Sequence, residues 1–240
     1  MRRRSFCVAV VGVLATAVAL SATGGAASTV RHGRIHRITN STSTNWSGYA
    51  VTGGRYTSVS AAWTQPAATC SGTAYSSFWV GLDGDTSNTV EQTGTDADCS
   101  GSTPQYYAWY EMYPKFPVNL RGTVRPGDKM TASVTTDGRG GFTLTISDAT
   151  QGWTNTTNAR LKSAKLASAE VIAEAPSSSG GVLPLANFGT VSFSSAKANG
   201  ALLTSSTPGI DPITMQSGST VKAQPGGISS GSFSVTWKHS

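Results

Sequence analysis

Histidine is scarce in this 240-residue chain: there are three, with His32 and His36 near the start and His239 one residue from the end. A Ser-His-Asp triad needs an imidazole beside its nucleophile, so the body of the chain cannot build one. Cysteine is equally sparse, at three, with no Cys-x-x-Cys pair, which leaves zinc ligation without its usual donors. No Walker loop, dinucleotide fingerprint or His-Glu-x-x-His motif is present. Asp85-Thr86-Ser87 matches the active-site triplet of aspartic proteases but occurs once. A single chain of that class needs two copies, so the triplet reads as a turn. Apolar runs long enough to cross a bilayer are missing beyond the first residues, and acid is missing altogether before residue 40.

The absence of acid at the start explains the overall charge. Of the 18 Lys and Arg residues, Arg2, Arg3, Arg4, Arg31, Arg34 and Arg37 precede residue 40, leaving 12 basic residues against 12 acidic ones. The remainder is near neutral and offers no nucleic-acid face. The start itself has three parts: the basic Arg2–Arg4, the apolar Phe6–Leu20 and the small Gly25-Ala26-Ala27. This pattern reads as a secretory signal peptide over residues 1–27, too short in its apolar part for a spanning helix. Residues 28–44 then form a short basic leader or pro-segment, expected to be free of strands and either disordered or removed. The protein is expected to be secreted and extracellular, with no membrane attachment after signal cleavage. Cys7 leaves with the signal, and Cys70 and Cys99 remain as an even pair, expected to form one disulfide in an oxidising compartment.

Residues 45–240 are long enough for one domain with a sizeable core. They are rich in Thr, Ser, Val and Gly, which disfavours helices. Period-two alternation recurs in TSVSAAW (57–63), SSFWVGL (76–82), YYAWYEMY (106–113), KMTASVTT (129–136), GFTLTIS (141–147), GTVSFSS (189–195) and SFSVTWK (232–238). Turn residues separate them, as in DGD (83–85), RPGD (125–128) and TDGRGG (136–141). Many short strands at regular spacing predict an all-β antiparallel sandwich.

The candidate chemistry lies in carboxylates and amides set into strands. Alternation puts Glu170, Ile172 and Glu174 on one face, Trp109, Glu111 and Tyr113 on one face, and Val90, Gln92 and Gly94 on one face. Acids on strands ordinarily face solvent. These neighbour Trp and Tyr, whereas other strands present Ser and Thr outward, and a face carrying both acids and large aromatics predicts a groove.

The blocks NWSGY (45–49), WTQP (63–66), FWVGLDG (78–84), VEQTG (90–94), YAWYEMYP (107–114), SAEVIAEAP (168–176) and NFGTVSF (187–193) occur in this order. Together they resemble the glutamic peptidases, or eqolisins, the A4/G1 peptidase family. The resemblance implies a sandwich of two curved antiparallel sheets, similar to legume lectins and some glucanases. It implies an acid-acting endopeptidase with a Gln/Glu dyad: Gln92 as oxyanion stabiliser and Glu170 as general base and then acid. Val171 stands where fungal members often carry Trp, and the leader is short beside fungal pro-segments.

Around the dyad, Trp79, Asp83, Trp109, Glu111 and Glu174 are the candidate cleft residues. Trp109 is expected to wall the cleft, and Glu111 and Asp83 to hydrogen-bond the dyad or tune its charge. On the blander reading, Asp83 only caps the LDGD turn and Glu174 faces solvent. No metal or organic cofactor is called for. The expected partners are polypeptide substrates, and the expected state is a monomer. Two rivals use the same sandwich. A glycoside hydrolase would draw paired carboxylates from Glu111, Glu170 and Glu174, and a carbohydrate-binding module would stack sugars on Trp79, Trp109 and Tyr113. Neither requires a glutamine at position 92.

Overall fold

The computed structural model describes residues 30–39 and 41–240. The expected signal peptide, residues 1–27, lies outside them. Nineteen strands and no helix occur among the described residues. In chain order the first are β1 (Arg37–Thr39), β2 (Thr42–Ser43), β3 (Trp46–Thr52), β4 (Ser58–Thr64), β5 (Ser77–Leu82) and β6 (Val90–Ser100). Next come β7 (Thr103–Tyr113), β8 (Val118–Asn119), β9 (Lys129–Thr136), β10 (Gly141–Asp148), β11 (Trp153–Arg160) and β12 (Ser168–Glu174). The last are β13 (Ser177–Ser178), β14 (Gly181–Val182), β15 (Thr190–Ala198), β16 (Ala201–Leu202), β17 (Ile210–Ser217), β18 (Thr220–Pro225) and β19 (Phe233–Trp237).

The strands form two layers. The first sheet runs β8-β7-β6-β5-β12-β3-β17 and is antiparallel throughout. The second runs β11-β10-β9-β4-β15-β19-β18-β17-β2-β1, antiparallel except where β17 meets β2. Strand β17 belongs to both: Ile210–Ile213 pair with β3, and the residues from Thr214 onward pair with β2 and β18. The ladder is therefore continuous between the layers, as expected of an all-β antiparallel sandwich.

Alternation explains the packing. On the second sheet, β9, β10 and β15 bury every other residue and turn Ser and Thr outward. Their inward residues, among them Val134, Leu144, Ile146 and Phe193, meet Phe78, Val80, Leu82 and Val171 of the first sheet in one core. Each such side chain contributes roughly 1.5–3 kcal/mol on burial. Cys70 and Cys99 form the expected disulfide, closing a separation of 29 residues. A loop of that length is worth about 3–4 kcal/mol in the chain-entropy account.

The first sheet breaks the rule. Strands β5 and β12 are buried at every position, and β6 at all but its last. Its outer face carries a second cluster, in which Trp46, Trp79, Trp109 and Ile172 pack with Ile35. Ile35 belongs to the segment expected to be a strand-free arm. That expectation is corrected: β1 and β2 lie within residues 28–44, and Arg31 pairs with Ser177 in a bridge. The segment's composition suggested disorder because its partners lie far away in sequence. The guanidinium of Arg37, for example, sits 2.7 Å from both Asp85 and Asp211.

Candidate active site

The register of four strands builds the site. Gln92 on β6 lies opposite Glu111 on β7 and Gly81 on β5, and Gly81 lies opposite Glu170 on β12. Glu111, Gln92, Gly81 and Glu170 thus form a row across the outer face. Gln92 and Glu170 are two strand spacings apart, roughly 10 Å between Cα atoms. Gly81 has no side chain to fill the space between them. A Cβ there would come within 2.9 Å of the Trp79 ring and 3.1 Å of the Gln92 Cβ. Two residues along each strand the next row is Trp109, Gly94, Trp79 and Ile172, followed by Tyr107, Asp96, Ser77 and Glu174.

Hydrogen bonds fix the polar groups. The Gln92 side-chain amide donates to Glu111 Oε2 at 3.2 Å and, at shorter range, to the backbone carbonyl of His32. Glu111 Oε2 also accepts from the His32 amide at 3.0 Å. Glu174 accepts from Trp79 Nε1 at 2.8 Å and from the Gly33 amide at 3.2 Å. Trp109 Nε1 donates to Asp96 Oδ1 at 2.6 Å. Among the described residues, neither carboxyl oxygen of Glu170 has a partner at hydrogen-bond geometry, although the Ser168 hydroxyl is near enough to temper its upward shift.

Burial sets the protonation of this face. It raises Glu170 and Glu174 well above the usual carboxylate range, and the nearby carboxyls Asp85, Asp83 and Glu91 add to the effect on Glu170. Burial also pushes Glu111 up to about 9 and holds Asp96 well above its ordinary value. The imidazole of His32 is pushed down to about 3 for the same reason. His32 Nε2 and Asp96 Oδ2 lie 3.6 Å apart, and burial disfavours the charged form of each.

Of the residues singled out in the sequence, Gln92, Glu170, Trp79, Trp109, Glu111 and Glu174 share this face. Trp109 packs in the cluster on this face, and Glu111 Oε2 accepts from the Gln92 amide. Glu174 is fully buried, so the solvent-facing reading fails for it. Asp83 does not bond to the dyad. Its carboxylate accepts three backbone amides, from Lys165, Leu166 and Ala167, each at 2.8 Å, and so fixes the entry into β12. Asp83 adopts a left-handed φ of 68° at this corner.

Sequence reasoning missed His32, Gly81, Asp96, Ser77 and Trp46. Asp96 was accessible by extending the Gln92–Gly94 alternation one more step, and Ser77 and Gly81 by the same rule around Trp79. His32 carried no such signal. Among the described residues, no group of three or more His, Cys, Asp or Glu side chains is arranged to hold a metal ion.

Fold and groove define a β-sandwich protein whose acid-and-amide face holds an extended stretch of peptide. The family model for the peptidase A4 family matches residues 44–237, and the chain belongs to that family. It is 28% identical to aspergillopepsin-2 of Aspergillus niger over 181 residues, covering 65% of this chain and 64% of that protein. It is 36% identical to scytalidopepsin B of Scytalidium lignicola over 110 residues, covering 45% and 41% respectively. The matched region thus spans less than two thirds of either relative's length. The crystal structure of scytalido-glutamic peptidase with a transition-state analogue inhibitor superposes with a TM-score of 0.72 at 26% identity, covering 81% of this chain and 98% of that one. The aspergilloglutamic peptidase structure from Aspergillus niger gives 0.61 at 26% identity, covering 69% and 99%.

Proposed function

We propose that the protein is an exported, monomeric endopeptidase that hydrolyses polypeptides on the acidic side of neutrality, with Gln92 and Glu170 as its catalytic dyad. The observation that carries this reading is the Gln92 amide donating to a peptide carbonyl, with Glu170 across the side-chain-free gap at Gly81. Membership of the peptidase A4 family supports it. Export rests on the tripartite start of the sequence.

Water attacks an amide carbon slowly unless a base takes its proton. Ionised Glu170, whose oxygens have no partner at hydrogen-bond geometry among the described residues, is suited to do so. The oxygen of the tetrahedral intermediate becomes anionic and needs a fixed neutral donor. Gln92 provides one that cannot ionise, and Glu111 holds its orientation. Glu170 then returns the proton to the departing nitrogen, and the C–N bond breaks. The acidic preference rests on membership of the peptidase A4 family; the upward shift of Glu170 belongs to the face as it stands fully buried. The groove's groups match the alternating N–H and C=O of a peptide, which favours a polypeptide over a glycan.

The test is hydrolysis of casein and of β-glucan by the purified protein between pH 2 and 8. Casein cleavage on the acidic side is expected, with Glu170→Gln lowering kcat by about 1,000-fold or more while the fold is retained. Cleavage of β-glucan alone would overturn the reading.

A further inference from the structure

On the second sheet, apart from the catalytic face, two acids are buried side by side. Asp128 ends the turn that leads into β9, and Asp148 ends β10, where it lies opposite Met130 in the register. They are only 2% and 1% exposed. Gln151 ties them together: its side-chain amide donates to Asp128 Oδ1 at 2.9 Å, and its backbone amide donates to Asp148 Oδ1 at 3.0 Å. Asp128 Oδ2 accepts from the Arg125 amide at 2.7 Å, and Asp148 Oδ1 accepts also from the Thr150 amide at 2.8 Å. These bonds engage three of the four carboxyl oxygens. The fourth, Asp148 Oδ2, is buried and has no hydrogen-bond partner.

A buried oxygen left without a donor is rare in a folded protein and calls for a proton, a water or an ion. The charges around the pair favour an ion. Burial, and then the Asp128 carboxyl beside it, push the Asp148 carboxyl up. Among the described residues no Lys, Arg or His forms an ion pair with either acid. Arg125 meets Asp128 through its backbone amide, and the Lys129 ammonium donates to Thr64 Oγ1 at 2.9 Å. Two buried like charges at short range repel strongly unless something positive sits between them. The donors at hand are all oxygens: the two carboxylates, and the Gln151 carbonyl once that amide turns over about its last bond. An all-oxygen set selects a hard cation over zinc or copper. An irregular set drawn from turns suits calcium, whereas magnesium demands near-octahedral ligands.

We propose that Asp128, Asp148 and Gln151 form a calcium site that clamps the turn before β9 to the turn between β10 and β11. The ion sits between Asp148 Oδ2 and the Asp128 carboxylate, takes the Gln151 carbonyl as its third protein ligand and completes its shell with water. Two carboxylates and one amide make a weak site, in the range of extracellular modules at about 10⁻⁴–10⁻³ M. The clamp reaches beyond its own hairpin. The Gln65 amide donates to the Asp128 carbonyl at 2.9 Å, and the Gly127 amide donates to the Gln65 carbonyl at 2.8 Å. The Gln65 side chain in turn bonds Thr95 and the Asp96 carbonyl, on the strand that carries Gln92. In acid a proton takes the place of the ion between the carboxyls, so calcium supports the fold at neutral pH and leaves as the pH falls.

The experiment uses the full purified chain, stripped with EDTA, as wild type and as Asp148→Asn. Melting temperature is followed against calcium chloride at pH 7 and at pH 4, with magnesium chloride as the comparison. At pH 7, about 10 mM calcium is expected to raise the wild-type value by about 3–6 °C, and magnesium by less. At pH 4 the rise is expected to vanish. The amide of Asp148→Asn can donate to Asp128, so this variant is expected to melt no lower than stripped wild type and to ignore calcium. Calorimetric titration of wild type needs no variant: one calcium per chain is expected at pH 7, with Kd rising roughly tenfold or more by pH 5. No calcium-dependent shift at pH 7, an equal shift in Asp148→Asn, or a Kd independent of pH would each overturn the inference.

Discussion

The two sheets of this sandwich share a core but treat their outer faces in opposite ways. Outside the second sheet, Thr and Ser point to water, and several pair across strands, as Thr145 with Thr156 and Ser147 with Thr154. Outside the first sheet, Glu111, Gln92, Glu170, Glu174 and three tryptophans are buried beneath a segment from the chain's start. The first arrangement is what an antiparallel sheet does when one face is solvated. The second stores desolvated acids, which a fold retains at a cost in stability. A face that carries such a cost is where function is to be sought.

The sharpest way to perturb this contrast is to fill the gap between the dyad residues. Gly81→Ala puts a methyl group against the Trp79 ring and Gln92 Cβ, so kcat/KM towards a peptide is expected to fall roughly 10- to 100-fold, since a displacement of about 1 Å can cost about 100-fold. Steady-state kinetics together with a melting curve will separate this from unfolding. Unchanged kinetics would show that the gap plays no part.

A second perturbation uses pH. Glu91 and Glu111 rise from 4.5 to about 9, and Asp98 from 3.8 to about 6, while Asp96, Glu170 and Glu174 move in the same direction. A raised carboxyl contributes stability that is fully present below its unfolded value and is lost as pH climbs through its folded value. His32, lowered from 6.5 to about 3, acts oppositely: its share is present above about 6.5 and fades as pH falls towards 3. With six carboxyls against one imidazole, the melting temperature is expected to drop by at least about 5 °C from pH 5 to pH 8, given about 2–4 °C per kcal/mol for a chain of this size. Scanning fluorimetry across pH will measure it, and a rise over that interval would contradict the account.

The mildest perturbation belongs to the other sheet. Thr156→Ala removes an exposed hydroxyl from a 3.3 Å contact. It is expected to change stability by less than about 0.5 kcal/mol in denaturant titration and to leave hydrolysis unchanged. A loss of activity there would mean that the working face has been misassigned.

Much of this contrast was legible in the sequence. Alternation in KMTASVTT and GFTLTIS gave the solvated sheet, because Thr and Ser at every second position have one physical meaning on a strand. Glu170 and Glu174 beside Ile172, and Glu111 between Trp109 and Tyr113, marked a face of a different kind. What covers that face was not legible. RHGRIHR has neither strand periodicity nor apolar density, and its order comes from side chains of Gln92, Glu111 and Glu174 that reach it only in the folded chain. Asp83 was read as part of a turn or of the dyad's surroundings. Its carboxylate is bound to the backbone of residues 165–167, a pairing that strand alternation does not encode, while its charge still bears on Glu170. Gly81 passed unremarked because an empty place has meaning only beside its neighbours.

The account stands or falls on Gln92 and Glu170 acting on one peptide bond. Single-turnover hydrolysis of a defined peptide by Gln92→Ala, Glu170→Gln and the double variant tests this directly. Gln92→Ala alone should slow the reaction about 100- to 1,000-fold through loss of the oxyanion donor, and the double variant should be no slower than Glu170→Gln alone, as expected of residues that work as a unit. Glu170→Gln retaining wild-type turnover, or the two losses multiplying independently, would contradict it.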